Sequence, residues 1–277
     1  MRSASAPTQR PAAALGFTLV EMAVVLAIVG LLLGTVMFTL SAQVETRDFE
    51  ETRRRLDHAK ELLLSYAIVH GRLPCPATTS GEESPLGGGT CTAPFTGYLP
   101  AKTIGFTQVN GAGFAVDAWK NPIRYAVAPR IIPSTGGAPS VSDHFTNSTT
   151  LRTNGTSWLS SDLELCTTST YGTSSASGTA PASCPIDTAT SVKQAVVRSG
   201  MAAALVFSTG KNGKTSEISP GADEAWNLKI SAPYAGGVFI WHTPTPSTAT
   251  YGEFDDQFVW ITPGELYGKL ISAGLLP

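Results

Sequence analysis

Apolar and polar residues divide the N-terminal quarter of the chain into three stretches. Residues 1–16 are polar and include two arginines, residues 22–44 contain no charge and no proline, and residues 45–70 are rich in charge. The uncharged stretch predicts a helix that crosses a bilayer, because roughly 20 helical residues cover the hydrocarbon core. The basic residues before it predict that the chain after about residue 45 lies outside the cytoplasm.

The charged stretch carries apolar side chains at helical spacing. These residues, three or four positions apart, are Phe49, Thr52, Leu56, Ala59, Leu63 and Tyr66. No glycine or proline interrupts residues 45–70, whereas Gly71 and Pro74 follow directly. The pattern therefore predicts one long helix whose second half, 45–70, packs an apolar stripe on a globular head.

The head, residues 71–277, is predicted to be rich in β-structure. Short runs of β-branched and aromatic residues bounded by Gly, Pro or Ser predict strands at 124–127, 203–208, 237–241 and 257–261. We expect them to form one antiparallel sheet over the long helix. Residues 131–190 are rich in Ser, Thr, Gly and Ala and predict a loop-rich insertion. The predicted fold class is α+β.

Composition narrows the function classes. Of the 277 residues 14% are charged, and the formal net charge is −2, which gives no reason to expect nucleic acid as a partner. The sequence lacks G-x-S-x-G and H-E-x-x-H motifs, and its four histidines are scattered. We therefore do not expect an enzyme.

The four cysteines fall into two pairs, each separated by a stretch rich in Gly, Ser, Thr and Pro. Cys75 with Cys91 and Cys166 with Cys184 is the simplest disulfide pairing of the three that four cysteines permit. Metal ligation is the weaker alternative, because no C-x-x-C pair occurs.

A single carboxylate, Glu21, stands at the edge of the apolar stretch, where an unpaired charge is costly. The segment Gly16-Phe17-Thr18-Leu19-Val20-Glu21 resembles the cleavage and methylation motif of type IV prepilins and of type II secretion pseudopilins. The resemblance implies that a prepilin peptidase cuts after Gly16 and that Phe17 becomes the methylated N-terminus. It also implies that Glu21 pairs with the α-amino group of Phe17 in a neighbouring subunit.

A second segment, Asp117-Ala-Trp119-Lys-Asn-Pro122-Ile-Arg-Tyr125, resembles the D-x-W-G-x-P-x-x-Y stretch of major pseudopilins, with Lys120 in place of glycine. We expect its role to be structural, with a turn at Asn121 and Pro122 and aromatic core residues on either side. The two resemblances imply a pilin fold, in which a membrane-spanning first half of the helix (17–44) follows a leader (1–16).

Residues 208–215 differ by one residue from a P-loop, because Ser208 stands where glycine is required, and we reject a nucleotide site. Together with Asp223 the segment is more similar to the calcium loop of major pseudopilins. Oxygen ligands for calcium are then expected from Ser208, Asn212, Asp223 and Asp255 or Asp256. Lys211 and Lys214 depart from that pattern, and a plain glycine-rich turn is the alternative.

The resemblance implies a structural subunit, a minor pilin or pseudopilin, of a type IV filament system. Its partners would be other pilin subunits, the prepilin peptidase, an inner-membrane assembly platform and membrane lipid. Its location would be the inner membrane, crossed once, with the head in the periplasm or on an extracellular filament. The alternative function is a head that acts as an adhesion or DNA-uptake module.

Overall fold

The computed structural model of the chain describes residues 18–129, 131–132, 143–155, 160–161, 163–167, 184, 195–197, 202–213, 223–228, 237–249 and 252–276. For residues 35–42, 131, 132, 160 and 197 the description covers the backbone alone. The chain divides into two compact units, Met1–Arg47 and Asp48–Pro277. The predicted leader and most of the predicted insertion at 131–190 lie outside the described residues.

The longest element is helix α1, Leu19–His70. Thr18 and Glu21 form a capping box at its start: the Glu21 amide donates to Thr18 Oγ1 at 3.2 Å, and the Thr18 amide donates to Glu21 Oε2 at 2.9 Å. At its end Gly71 adopts a φ of 68° and its amide donates to the carbonyl of Ala67. A left-handed residue after the last turn is a common way for a helix to end.

The prediction that the first half of this helix spans a membrane is wrong. Among the described residues, no helix combines the length and the apolar character that crossing a membrane requires. The single-pass inner-membrane location depended on that span and is wrong with it.

The second unit contains the main antiparallel sheet, in which β6 (Ala204–Ser208) lies between β1 (Arg124–Val127) and β8 (Gln257–Ile261). Val206 stands opposite Tyr125 on one side and opposite Val259 on the other. Every residue of β6 is buried, which agrees with its continuous apolar run in the middle of a sheet.

Two further sheets are small. β2 (Ile131–Ile132) pairs with β3 (Ser160–Ser161), and β4 (Glu164–Cys166) lies between β5 (Ala195–Val197) and β7 (Val238–Ile240). β4 is antiparallel to β5 but parallel to β7.

The predicted single antiparallel sheet is therefore wrong. The run 237–241 was expected to join the other strands, but β7 pairs with β4, a strand inside the region predicted as loops. The physical reason is burial: Leu165 and Cys166 are fully buried, so a short apolar run in a Ser- and Thr-rich region forms a strand. The predicted fold class, an α+β pilin fold with a membrane-spanning half-helix and one sheet, is wrong for the same reason: the fold is mixed α and β with small sheets.

One face of α1 forms the centre of the core in the second unit. Its fully buried apolar side chains are Leu56, Ala59, Leu63 and Ala67. Behind the main sheet, the rings of Phe207 and Phe258 stack with centroids 4.7 Å apart, and Phe239 meets Phe207 edge-on. Burial of each large apolar side chain contributes about 1.5–3 kcal/mol.

Four short helices complete the described elements. They are α2 (Ala101–Ile104), α3 (Ser148–Asn154), α4 (Asp223–Leu228) and α5 (Pro263–Ser272). Thr262 caps α5 by accepting a hydrogen bond from the Glu265 amide, and Pro263 occupies the first turn. Glu265 also forms an ion pair of 2.9 Å with Lys60, which ties α5 to α1.

Both predicted disulfides are present. Cys75 and Cys91 are bonded, as are Cys166 and Cys184, and the Cα atoms of each pair lie 5.4 Å apart. The first disulfide lies beside a buried ion pair, in which both guanidinium ends of Arg72 donate to Glu83 at 2.8 Å. The hydroxyl of Tyr66 donates to the same carboxylate at 3.1 Å, so α1 contacts this loop directly.

Lys120 provides a stability test, because it adopts a φ of 73° where the resembling motif has glycine. A side chain in the left-handed region is strained, so Lys120→Gly is expected to raise the free energy of unfolding by about 0.5–1 kcal/mol. Gly105, at a φ of 76°, is the matched control. Gly105→Ala is expected to lower stability by a similar amount. Urea unfolding measures both, and a destabilised Lys120→Gly protein would contradict the prediction.

Candidate functional site

Three buried carboxylates from two distant segments meet at one place in the second unit. Glu224 lies in the first turn of α4, and Asp255 and Asp256 directly precede β8. One carboxylate oxygen of each lies within 4.8 Å of those of the other two. The three residues are at most 6% exposed. We call Glu224, Asp255, Asp256 and the neighbouring Asn212 the acidic cluster.

Hydrogen bonds hold both carboxylate oxygens of Glu224 and one carboxylate oxygen of each aspartate. Glu224 accepts from the Asp255 amide at 2.8 Å and from Asn212 Nδ2 at 2.7 Å. Asp255 Oδ2 accepts from the Lys211 amide at 2.8 Å, and Asp256 Oδ2 accepts from Asn227 Nδ2 at 2.6 Å. Asn227 also bonds both backbone groups of Ile240, which connects the cluster to β7. The carboxylates are therefore fixed in orientation before any ligand arrives.

Three oxygens of the acidic cluster have no hydrogen-bond partner although they are buried: Asn212 Oδ1, Asp255 Oδ1 and Asp256 Oδ1. A buried acceptor without a partner costs about 1–3 kcal/mol. A cation that the oxygen coordinates would remove that cost. A proton shared between the acids would offset part of the same cost.

The electrostatics of the cluster favour protonated acids in the absence of a cation. Burial raises the pKa of Glu224 to about 8 and raises the pKa values of Asp255 and Asp256. Repulsion from Glu224 adds to the raised pKa of Asp256. Close carboxylates in a buried site cannot all be ionised at neutral pH unless a cation compensates them.

Gly210 allows the close approach of Asp255. It has a φ of 63°, and a Cβ atom built on it would overlap Asp255 Oδ1. Any other residue at this position would displace the carboxylate. Position 210 therefore requires glycine for two reasons: its left-handed backbone conformation and the space that Asp255 occupies.

The donor set fits a hard divalent cation. All of the candidate ligand atoms are oxygens, from three carboxylates and one amide, which is the chemistry that calcium prefers. The backbone amide of Lys211 donates to Asp255 of the cluster, but the Lys211 side chain is exposed. Lys214 lies outside the described residues.

The structure brings together only part of the predicted calcium ligands. Asn212, Asp255 and Asp256 belong to the acidic cluster. Ser208 does not, because its hydroxyl donates to Asp117 Oδ2 at 2.6 Å. Asp223 bonds His242 Nε2 at 3.0 Å instead, and this bond raises the pKa of His242.

Glu224 was missed by the sequence reasoning. The similarity to the calcium loop of major pseudopilins predicted Asp223, the acid one position earlier, as the ligand. Because α4 begins at Asp223, successive side chains point about 100° apart, and only the second acid faces Asp255. The adjacent acids after Gly221 were the available signal.

A second buried group, Glu164 with Cys166 and Cys184, has the spacing of metal ligands. The two sulfurs are bonded to each other, so they offer no thiolate. Glu164 instead accepts a hydrogen bond from the Cys184 amide.

The processing residues Gly16 and Phe17 lie outside the described residues, whereas Glu21 is described within the first unit. Glu21 Oε2 accepts hydrogen bonds from the backbone amide of Thr18 at 2.9 Å and from its hydroxyl at 3.0 Å. The amide bond is the larger cause of the lowered pKa of Glu21. The acid thus has a partner within its own chain.

The arginine run at 53–55 is engaged with acids and backbone. Arg53 pairs with Asp57, and Arg54 and Arg55 pair with Glu51. Arg55 additionally donates to the carbonyl of Asp117 at 2.7 Å. These contacts favour a structural role for the run over a contact with nucleic acid.

Comparison with protein-family models, with curated protein sequences and with solved structures found no match to this chain.

The acidic cluster predicts an unusual pH dependence of stability in EDTA. The pKa of Glu224 is about 8 in the folded protein and 4.5 for an ordinary glutamate. Its contribution to stability is therefore complete below about pH 4.5 and is lost as the pH rises through about 8. We expect urea midpoints to fall between pH 5 and pH 9.

Glu224→Gln is expected to reduce this fall, because the amide does not ionise. Glu82→Gln, a change at an acid of which about half is exposed, is the matched control and should keep the wild-type slope. Equal slopes for wild type and Glu224→Gln would contradict the prediction.

Proposed function

We propose that the chain is a structural subunit, a minor pilin or pseudopilin, of a type IV filament system. In this proposal it is cleaved after Gly16 by a prepilin peptidase and assembles through residues 19–34 of α1. The observation that carries the proposal is the exposed apolar surface of these residues, next to a complete prepilin-like motif.

The exposed surface is continuous along the helix. Its apolar side chains, between 43% and 90% exposed, are Leu19, Val20, Met22, Val24, Val25, Leu26, Ile28, Val29, Leu31, Leu32 and Leu33. Exposed apolar surface of this extent marks an interaction site, because its burial is favourable by roughly 25 cal/mol per Å². Identical helices from other copies would cover it on all sides.

Glu21 supports the same interpretation. It lies among these apolar residues, so covering the surface would also remove its carboxylate from water, at a cost that only a positive partner offsets. In an assembled filament the α-amino group of Phe17 from a neighbouring copy would supply that charge. Thr18 satisfies the carboxylate before assembly.

The assembly prediction uses two substitutions on the same helix. Leu31 is 72% exposed, so Leu31→Asp should leave the unfolding transition of the head unchanged and abolish self-association of the processed chain. Val69 is 75% exposed and is the matched control. Electron microscopy and sedimentation would measure assembly. Filaments formed by Leu31→Asp as readily as by Val69→Asp would contradict the proposal.

We also propose that the acidic cluster binds a divalent cation, calcium in the first instance. Three buried oxygens without partners favour this second function. When bound, the cation would supply positive charge that allows Glu224, Asp255 and Asp256 to ionise together. Asn212, Asp255 and Asp256 would hold it, because each has an Oδ1 atom that accepts no hydrogen bond.

The cation prediction is tested by thermal unfolding of the full chain in calcium or in EGTA. A ligand at one hundred times its Kd stabilises the folded state by about 2.7 kcal/mol, so calcium should raise the midpoint by several degrees. Asp256→Asn should remove most of this rise because it removes a charged ligand, whereas Glu82→Gln should keep it. An unchanged wild-type midpoint, or a full rise in Asp256→Asn, would refute cation binding at the cluster.

A further inference from the structure

Two turns from distant parts of the sequence are joined by buried side-chain hydrogen bonds. The first comprises residues 116–121, and we call it the motif turn; the second comprises residues 208–213, and we call it the cation turn. Asp117 Oδ2 accepts from the hydroxyl of Ser208 at 2.6 Å, and Asn121 Nδ2 donates to the carbonyl of Gly210 at 2.6 Å. Asp117 and Ser208 are at most 1% exposed, and Asn121 is 7% exposed.

The motif turn is itself held rigidly. Asp117 Oδ1 accepts from the Asn121 amide at 2.8 Å, which fixes the two residues relative to each other. The packing against the cation turn is tight, because a Cβ atom on Gly213 would lie 3.0 Å from Asn121 Nδ2. Movement of either turn would therefore displace the other.

The cation turn carries the groups that reach the acidic cluster. The Lys211 amide donates to Asp255, and Asn212 Nδ2 donates to Glu224. Gly210, whose carbonyl accepts from Asn121, is also the residue against which Asp255 Oδ1 rests. The peptide bond between Gly210 and Lys211 therefore links the two: its carbonyl accepts from Asn121, and its amide donates to the candidate ligand Asp255.

On its other side the motif turn is attached to α1. Arg55 Nη1 donates to the carbonyls of Val116 at 3.0 Å and Asp117 at 2.7 Å. The Ala118 amide donates to Thr52 Oγ1 at 3.2 Å, and the rings of Phe49 and Trp119 meet edge-on, 5.0 Å apart. All of these residues belong to the second unit.

We propose that the motif turn is a latch between the acidic cluster and helix α1. Asp117 and Asn121 are positioning residues: they hold the cation turn where Asn212 and Asp255 reach a divalent cation. Binding of the cation in turn stabilises the contacts of the motif turn with residues 49–55. The inference rests on the proposed cation binding, and it assigns the D-x-W-x-N-P segment a role beyond core packing.

The main test is the calcium affinity of the full chain, measured by titration calorimetry. Substitution of a residue that orients metal ligands typically weakens affinity 10- to 100-fold, so Asn121→Ala should weaken calcium binding at least tenfold. Asn110 is the matched control, because its side chain also organises a turn, by accepting from the amides of Ala112 and Phe114. Asn110→Ala should leave the calcium affinity unchanged.

A second measurement separates the latch from a purely structural role. Coupling between two sites is reciprocal, so calcium should slow amide hydrogen exchange of residues 116–121 in the wild-type chain. In Asn121→Ala, saturating calcium should leave the amide hydrogen exchange of these residues unchanged. Thr52→Val, which removes the acceptor of the Ala118 amide, should weaken calcium binding several-fold. A structural role alone would lower stability equally with and without calcium.

The outcomes distinguish the two proposals. No calcium binding by the wild-type chain would overturn both the cation site and the latch. Calcium binding by the wild-type chain with equal affinity in Asn121→Ala would overturn the latch and leave the cation site standing. Weaker binding in Asn121→Ala, normal binding in Asn110→Ala and loss of the exchange effect would together support the latch.

Discussion

Burial of one face of α1 is the constraint on which the arrangement of the second unit depends. Leu56, Ala59 and Leu63 are fully excluded from solvent, and their burial supplies the largest favourable term available to the head. Polar side chains on the flanks of the same face then determine where each neighbouring segment lies. Arg53 donates to the carbonyl of Phe258 at the edge of the main sheet, and Tyr66 donates to Glu83 in the first disulfide loop. Burial of apolar surface, which has no preferred direction, provides the stability. The hydrogen bonds, which are directional, select one arrangement.

In the first unit, the same helix has many more exposed apolar side chains than in the second. There the apolar side chains of residues 19–34 are exposed, and no sheet or loop of the described residues in that unit covers them. A chain that exposes such a surface gains free energy when copies of it associate. This asymmetry along one helix connects the fold to the proposed role as a filament subunit, because the head has its own core while the apolar side chains of the first unit are exposed.

Sequence reasoning succeeded where the signal was local. The two disulfides follow from cysteine spacing, and the apolar runs of β6 and β8 fall within predicted strands. It failed where tertiary burial decides the outcome. β4 lies in a Ser- and Thr-rich region that has no strand pattern, yet burial of Leu165 and Cys166 against β7 forms one. The apolar run predicted a membrane span, and the strand-like runs predicted one sheet; both predictions were wrong.

The acidic cluster was only partly predictable from the sequence, for a related reason. Asp255 and Asp256 are adjacent acids before an apolar strand, which attracts attention in any sequence. Glu224 contacts Asp255 across a separation of 31 residues, and the turn of α4 alone decides whether it or Asp223 faces the cluster. The hydrogen bonds of Asp117 and Asn121 to the cation turn span 91 and 89 residues, and no local pattern encodes them.

Above all, we propose that the chain is made as a precursor and processed to a filament subunit. The decisive measurement is the N-terminal mass of the protein produced with and without an active prepilin peptidase. We predict a mature chain that begins at methylated Phe17 only when the peptidase is active. A leader of residues 1–16 that stays attached under both conditions, or cleavage at another bond, would contradict the proposal.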